Sequence, residues 1–199
     1  MTTASDYPRY DRLLRPDEDG LKSAQWDYGP QQWFMTNFQV TKTSSRSNLY
    51  DKIQSTLAYQ NFKESRKVRD FQSPFREIRK ENVNAFSFNL DLEKSLSPKT
   101  SFFYGLEYLF NKVGSTGKEE NIETDTSVRN VTRYPDGSTW QSIASYASLK
   151  YKPNKKFVFQ TGLRFNQVIA KADFTENNEF LNLPFDNTEI NTGALTGTA

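Results

Sequence analysis

The sequence predicts an all-β chain: a segment of an antiparallel up-and-down transmembrane β-barrel, six strands and a partial seventh, with short turns at one end and long loops at the other. Three observations predict it. Apolar and polar residues alternate with period two through six separate stretches of about ten residues, the spacing of a pleated strand whose successive side chains point to opposite faces. The apolar faces of those stretches carry no Asp, Glu, Lys or Arg, although 25% of the 199 residues are charged. The connections between the stretches then alternate strictly between short and long.

The first stretch, QWFMTNFQVT, puts Phe34, Thr36, Phe38 and Val40 on one face. The turn SSRSN leads into DKIQSTLAYQ, with Ile53, Ser55, Leu57 and Tyr59. NAFSFNLDLE aligns Phe86, Phe88, Leu90 and Leu92, and after the turn SPKT, SFFYGLEYLF aligns Phe102, Tyr104, Leu106, Tyr108 and Phe110. QSIASYASLKY carries Ile143, Ser145, Ala147, Leu149 and Tyr151; the turn PNK follows, then KFVFQTGLRF with Phe157, Phe159, Thr161, Leu163 and Phe165. The final TEINTGALTGTA begins a seventh alternating segment. The opposite faces hold Lys52, Gln54, Asn89, Asp91, Glu93, Glu107, Lys150, Gln160 and Arg164, with small residues such as Ala58, Gly105, Ala144 and Gly162.

The short connections are rich in Ser, Asn and Pro, residues that form turns. The others, about Glu64–Glu81, Lys112–Ser138 and Asp173–Thr188, read as long loops. Outer-membrane barrels have this asymmetry, with short periplasmic turns and long extracellular loops. Residues 1–32 then form an opening extracellular loop, and 33–199 the strands and loops of the barrel domain.

The type of apolar residue distinguishes lipid from a protein interior. Buried faces of soluble sheets favour Val, Ile and Leu. Here they are rich in Phe and Tyr, with Tyr59 and Tyr151 near strand ends, as in the aromatic girdles of membrane barrels. A charge at the lipid-facing midplane costs roughly 2–4 kcal/mol, which accounts for the empty faces. Composition agrees: 35% hydrophobic and 15% aromatic residues suit one narrow apolar surface.

The chain has no His and no Cys. That excludes a Ser-His-Asp triad, zinc sites with imidazole or thiolate ligands, and disulfides. No catalytic residue, metal site or cofactor is expected. A net charge of +2 argues against nucleic acid as a partner. The N-terminus has no signal-peptide pattern, and no apolar run is long enough for a transmembrane helix. A passive porin, a small eight-stranded adhesion barrel and a soluble β-rich binding domain are the other classes that share this pattern.

The opening residues carry a more specific signal. DYPRYDRL, followed by GLKSAQWDYGPQ, resembles a segment of TonB-dependent outer-membrane receptors, closest to the group taking up haemoglobin, haem, transferrin or colicin-I-type siderophores. LPFDNTEINTGALTG resembles a loop and strand start further along the same barrels, and SIASYASLKYKPNKKFVFQTGLRF fits one of their hairpins. The resemblance implies a barrel of about 22 strands with a plugged lumen, importing an iron complex with energy delivered by the TonB–ExbB–ExbD system. Plug, TonB box and terminal aromatic residue are not in this sequence, so the resemblance implies a middle portion of the barrel wall. Outer-membrane lipid and lipopolysaccharide are the implied surroundings.

Ligand-binding candidates follow from the residue types. Arg9, Tyr10, Arg12, Trp26 and Tyr28 interleave rings and guanidinium groups within the opening loop, and Arg76 and Arg79 belong to the basic loop after the second strand. Tyr and Trp offer rigid amphipathic contact area, and Arg a planar fork for carboxylate or catecholate oxygens. The same residues also suit a self-packed loop: Tyr10, Trp26, Tyr28 and Trp33 against each other, Arg9 paired with Asp11, and Arg12 or Arg15 paired with Asp17, Glu18 or Asp19. Asp17-Glu18-Asp19-Gly20 fails the EF-hand spacing, because Arg15 stands where an acid is needed. A haem iron held by this chain would need Tyr or Met35 as its axial ligand.

Overall fold

The computed structural model describes residues 2–18 and 20–198. Asp19, one of the expected ion-pair partners, lies outside the described residues. The elements in chain order are β1 (Thr2–Ala4), β2 (Tyr7–Pro8), α1 (Tyr10–Leu13), β3 (Pro16–Asp17), β4 (Gly20–Leu21), β5 (Ser23–Tyr28) and β6 (Gln31–Thr43). There follow β7 (Lys52–Asp70), β8 (Phe75–Ser97), β9 (Thr100–Asn121), β10 (Thr126–Arg129), β11 (Thr139–Tyr151), β12 (Phe159–Asp173), α2 (Thr175–Leu181) and β13 (Asn187–Thr198). One antiparallel sheet runs β6-β7-β8-β9-β11-β12-β13, so sequence neighbours are spatial neighbours throughout the wall. Among the described residues the sheet is not closed, since β6 and β13 do not pair with each other. No helix among the described residues is long and apolar enough to cross a membrane; strands do the crossing.

Register decides which residues share a face. Val40, Ser55, Leu90, Leu106, Ser145, Phe165 and Leu195 form one continuous row across seven strands. Ile53, Leu92, Tyr104, Ala147 and Leu163 form the row nearer the short turns. Tyr59, Phe86 and Phe110 form a row nearer the long loops. The separately deduced apolar faces are therefore one surface. On β9 it is uncharged from Phe102 to Phe110; nine residues at about 3.3 Å each, tilted by about 40°, rise roughly 23 Å, close to the apolar band of an outer-membrane barrel.

That surface is not a protein core. Leu106 is 52% and Leu163 61% exposed, and the only buried apolar residues among those described are Ile78 and Ala144. A soluble domain of comparable length buries most of its unfolded surface. A single layer whose apolar face meets nothing of its own chain is a membrane wall. The other face is polar: the Tyr146 hydroxyl donates to Asp91 at 2.6 Å, and Arg164 donates to Glu107 at 2.7 Å. Gly105 makes the first of these possible. A Cβ there would lie 2.7 Å from the Tyr146 ring and against the Leu90 carbonyl, so only glycine lets Tyr146 cross β9 to reach Asp91.

The long connections differ from expectation. Glu64–Glu81 is not a loop: β7 and β8 stay paired from Glu64↔Glu81 up to Arg69↔Arg76, leaving a tight turn around Gln72. Within Lys112–Ser138, β9 continues to Asn121 and β10 pairs back onto it. The connection Asp173–Thr188 contains α2, which ends on Asn182 in the left-handed conformation. The expected partial seventh strand is a full ladder, paired with β12 from Asp173↔Asn187 to Gly162↔Thr198. The opening segment is likewise not a free loop. β5 extends the sheet by pairing with the upper part of β7, and β2 pairs with β5. The break between β5 and β6 falls at Gly29, where φ is +111° and a side chain would strike the backbone of Ser5 and Asp6 at 2.8–2.9 Å. The Gly29 N–H donates to the Ser65 carbonyl at 2.7 Å, pinning that break to β7.

Candidate functional site

The polar face of the wall continues above the membrane band on the tops of β7, β8 and β9, and the opening segment folds against it. Pairing of Tyr28 with Arg66 and of Trp26 with Val68 places both rings on this lumen face. Their rings meet edge to face at 5.1 Å. Arg9, just before α1, lies over both, 5.5 Å from the Trp26 ring and 5.4 Å from the Tyr28 ring. A two-point bond to the Asp11 carboxylate, both contacts at 2.7 Å, fixes its guanidinium plane. That bond also holds the Asp11 carboxyl below the ordinary range. Arg12 covers Trp26 at 5.7 Å, and Arg66 lies 4.6 Å from the Tyr28 ring.

Beneath these rings the face becomes a charged network. Arg66 pairs with Glu64 at 2.8 Å. Glu64 also accepts from Gln31 at 3.2 Å and lies 3.5 Å from Arg133, which arrives from the connection between β10 and β11. Arg79 pairs with Glu77 at 3.0 Å and points its Nε to the Val131 carbonyl. Glu81 stands directly opposite Glu64 in the ladder, is only 5% exposed, and neither of its oxygens has a hydrogen-bond partner among the described residues. Burial pushes its carboxyl above the usual range, with Glu64 adding to the effect and Arg133, Arg66 and Arg79 opposing it.

Of the residues expected from sequence, Arg9, Arg12, Trp26 and Tyr28 converge, and Arg79 lies on the same face. Tyr10 is 68% exposed and is not among the rings in contact with Trp26 and Tyr28. Arg76 does not join them. Its place in the β8 ladder puts it on the outer face, paired with Glu120 at 2.5 Å. Trp33 sits below the cluster, donating to Gln60 at 3.2 Å. Arg9–Asp11 pairs as expected, whereas neither Arg12 nor Arg15 pairs with Asp17 or Glu18 among the described residues. Arg66 was expected only as one cation of the basic loop, and Glu64, Glu81 and Arg133 were not expected at a site; the β7–β8 register and the β10–β11 connection bring them together near Tyr28.

A second contact set holds the outer connections together. Arg129 pairs with Glu176 and Glu179 and covers the Phe180 ring, while Thr132 donates twice to Asn177. The chain between β10 and β11 is thereby fastened to α2 and folds over the lumen face near Glu81.

Comparison with known proteins agrees with this architecture. No curated protein matches the sequence. Among solved structures, the copper transporter OprC superimposes with a TM-score of 0.71 at 13% identity, over 86% of this chain and 27% of that one. At that identity the likeness is one of fold, and this chain spans about a quarter of the OprC chain. The model of the outer membrane protein beta-barrel family matches residues 33–189. With a continuous lipid-facing surface, a polar lumen face and that match over most of its length, the chain belongs to the outer membrane protein beta-barrel family of the Gram-negative outer membrane.

Proposed function

We propose that this chain forms part of the wall and outer vestibule of an active, TonB-dependent importer of an anionic iron chelate of siderophore or haem type. The observation that carries the reading is the Arg9–Trp26–Tyr28–Arg66 cluster on the lumen face, above the membrane band. Rings held rigid by guanidinium groups present flat apolar area beside planar donors, which suits a chelate with carboxylate or catecholate oxygens around an aromatic body. The solved neighbour is named for copper. The donors gathered here are guanidinium and indole or phenol rings, which match the periphery of a chelate better than a bare metal ion. Energy coupling through TonB–ExbB–ExbD follows from the sequence resemblance of the opening segment.

The test uses the complete receptor in outer membranes. Binding of a ferric tricatecholate, followed by tryptophan fluorescence, weakens by about tenfold or more in Arg66→Ala and in Trp26→Ala, the scale of an interface hot spot. Uptake of the labelled chelate stops when a protonophore collapses the inner-membrane gradient. Uptake that persists without the gradient would replace this reading with a passive pore. Unchanged affinity in both variants would remove the cluster from ligand binding.

A further inference from the structure

We propose that the outward face of the β7–β9 extension, directly above the apolar band, binds the phosphate groups of an outer-leaflet lipid headgroup through Lys63, Lys80 and Lys112. This rests on the membrane fold alone and not on what the barrel carries.

The ladder gives the arrangement row by row. Above Tyr59, Phe86 and Phe110 comes the row Asn61, Asn84, Lys112; then Lys63, Asn82, Gly114; then Ser65, Lys80, Thr116. All of these share the face of the aromatic row, because each lies an even number of residues from it along its strand. The three lysines are exposed, and none has a carboxylate partner among the described residues, unlike Lys67, Lys94, Lys118 and Lys171. The next cations up are already engaged: Lys67 with Asp6 at 2.5 Å and Arg76 with Glu120 at 2.5 Å.

Small side chains between the lysines leave room for a ligand. Ser65, Asn82, Gly114 and Thr116 line a cleft of about 510 Å³ together with Lys63 and Lys80; Glu64 and Glu81 also border it but belong to the lumen-facing rows of the ladder, and Asp136 borders it beside Gly114. Sheet spacing puts the three Cα atoms roughly 8–15 Å apart, within reach of one another through their flexible stems. Lys63 and Lys80 line that cleft and Lys112 lies one row below Lys63, so three ammonium groups without a carboxylate partner gather on one small area of the face and attract an anion to it. Below, Tyr59 donates to Asn84 at 2.7 Å and Asn61 to Asn82 at 2.6 Å, so the amides are held in place by their own network.

The position selects the source of the phosphate. One row lower the same face is aromatic, and below that it is covered by acyl chains. A group bound at the lysines therefore sits at the depth of a headgroup whose chains lie along Phe86, Phe88 and Leu106. Clustered basic residues beside a membrane recognise anionic headgroups in this way.

The test is lipopolysaccharide retention by the complete barrel protein extracted in mild detergent. Lys63→Gln/Lys80→Gln/Lys112→Gln is expected to lower retained lipopolysaccharide at least about fivefold. Lys155→Gln/Lys156→Gln, at the short-turn end, retains the wild-type amount. A measurement on the wild-type protein avoids any folding defect of the triple variant: after delipidation it rebinds intact lipopolysaccharide, rebinds the enzymatically dephosphorylated form several-fold more weakly, and is not competed by millimolar inorganic phosphate. Wild-type retention in the triple variant, or equal binding of the dephosphorylated lipid, would overturn the proposal. Full competition by inorganic phosphate would also overturn it, assigning the lysines to a free anion.

Discussion

The lower and upper parts of the β7–β8–β9 sheet are one ladder in two solvents. In the lower part the faces differ in kind: Phe88, Leu90 and Leu106 on one side, Asn89, Asp91 and Glu107 on the other. In the upper part both faces are polar, with Lys63, Lys67 and Lys80 outside and Glu64, Arg66 and Arg79 inside. Backbone pairing is the same in both. Hydrogen bonding therefore builds the sheet, and the surrounding medium only sorts its side chains.

The sharpest way to break this comparison is to place one charge in each part. In the complete barrel, Leu106→Arg at the centre of the lipid face costs roughly 2–4 kcal/mol, read from urea unfolding in lipid. Thr116→Arg, on the same strand and face above the band, leaves the midpoint nearly unchanged. Equal effects would mean that the apolar band is not in lipid. Packing inside the wall comes next. Gly105→Ala forces Tyr146 and the Leu90 carbonyl apart and costs about 1–3 kcal/mol, and Tyr146→Phe, which leaves Asp91 without its donor, costs about 1–2 kcal/mol.

Glu81 sharpens the comparison through pH. Its carboxyl is raised in the folded state, so the folded protein holds that proton more tightly than the unfolded chain. Stability falls as pH rises from the ordinary glutamate value through the raised one. Glu81→Gln is accordingly more stable than wild type at neutral pH, and the gap closes on acidification below the ordinary glutamate range. A gap that widens on acidification would contradict the burial of that carboxylate. The smallest effect is expected at the surface. Arg129→Ala loses exposed pairs worth at most about 1 kcal/mol, yet limited proteolysis near residues 122–138 quickens because the tie to α2 is gone.

The lower part was legible in the sequence because lipid forces a period-two signal: every face deduced from Phe34 to Phe165 falls on the observed lipid surface, except that Phe157 precedes β12. The upper part was not. In FREIRKENVN both faces are polar, so alternation disappears while the strand continues. The turn at Gln72 has no Gly to mark it. The full length of β13 was obscured for a related reason, since Gly193 and Gly197 replace rings on its lipid face. At the site, local spacing alone suggested the grouping of Arg9, Arg12, Trp26 and Tyr28. The place of Arg66, otherwise only one cation of a basic loop, and that of Arg133 were hidden because they reach the site through pairings that join residues far apart in the chain. Arg76 was misplaced by the same ignorance of register: as a loop residue it had no face, and as a strand residue it has the wrong one.

The vestibule stands on the ladder-paired tops of β7 and β8, not on a hinged flap. In the proposed role, a chelate arriving there meets rings carried on hydrogen-bonded backbone, so its capture would freeze few degrees of freedom and forfeit little entropy. Under that proposal recognition would depend on how well the chelate's outline fits a stiff surface, and homologous chelates of slightly different curvature would be told apart at the first encounter.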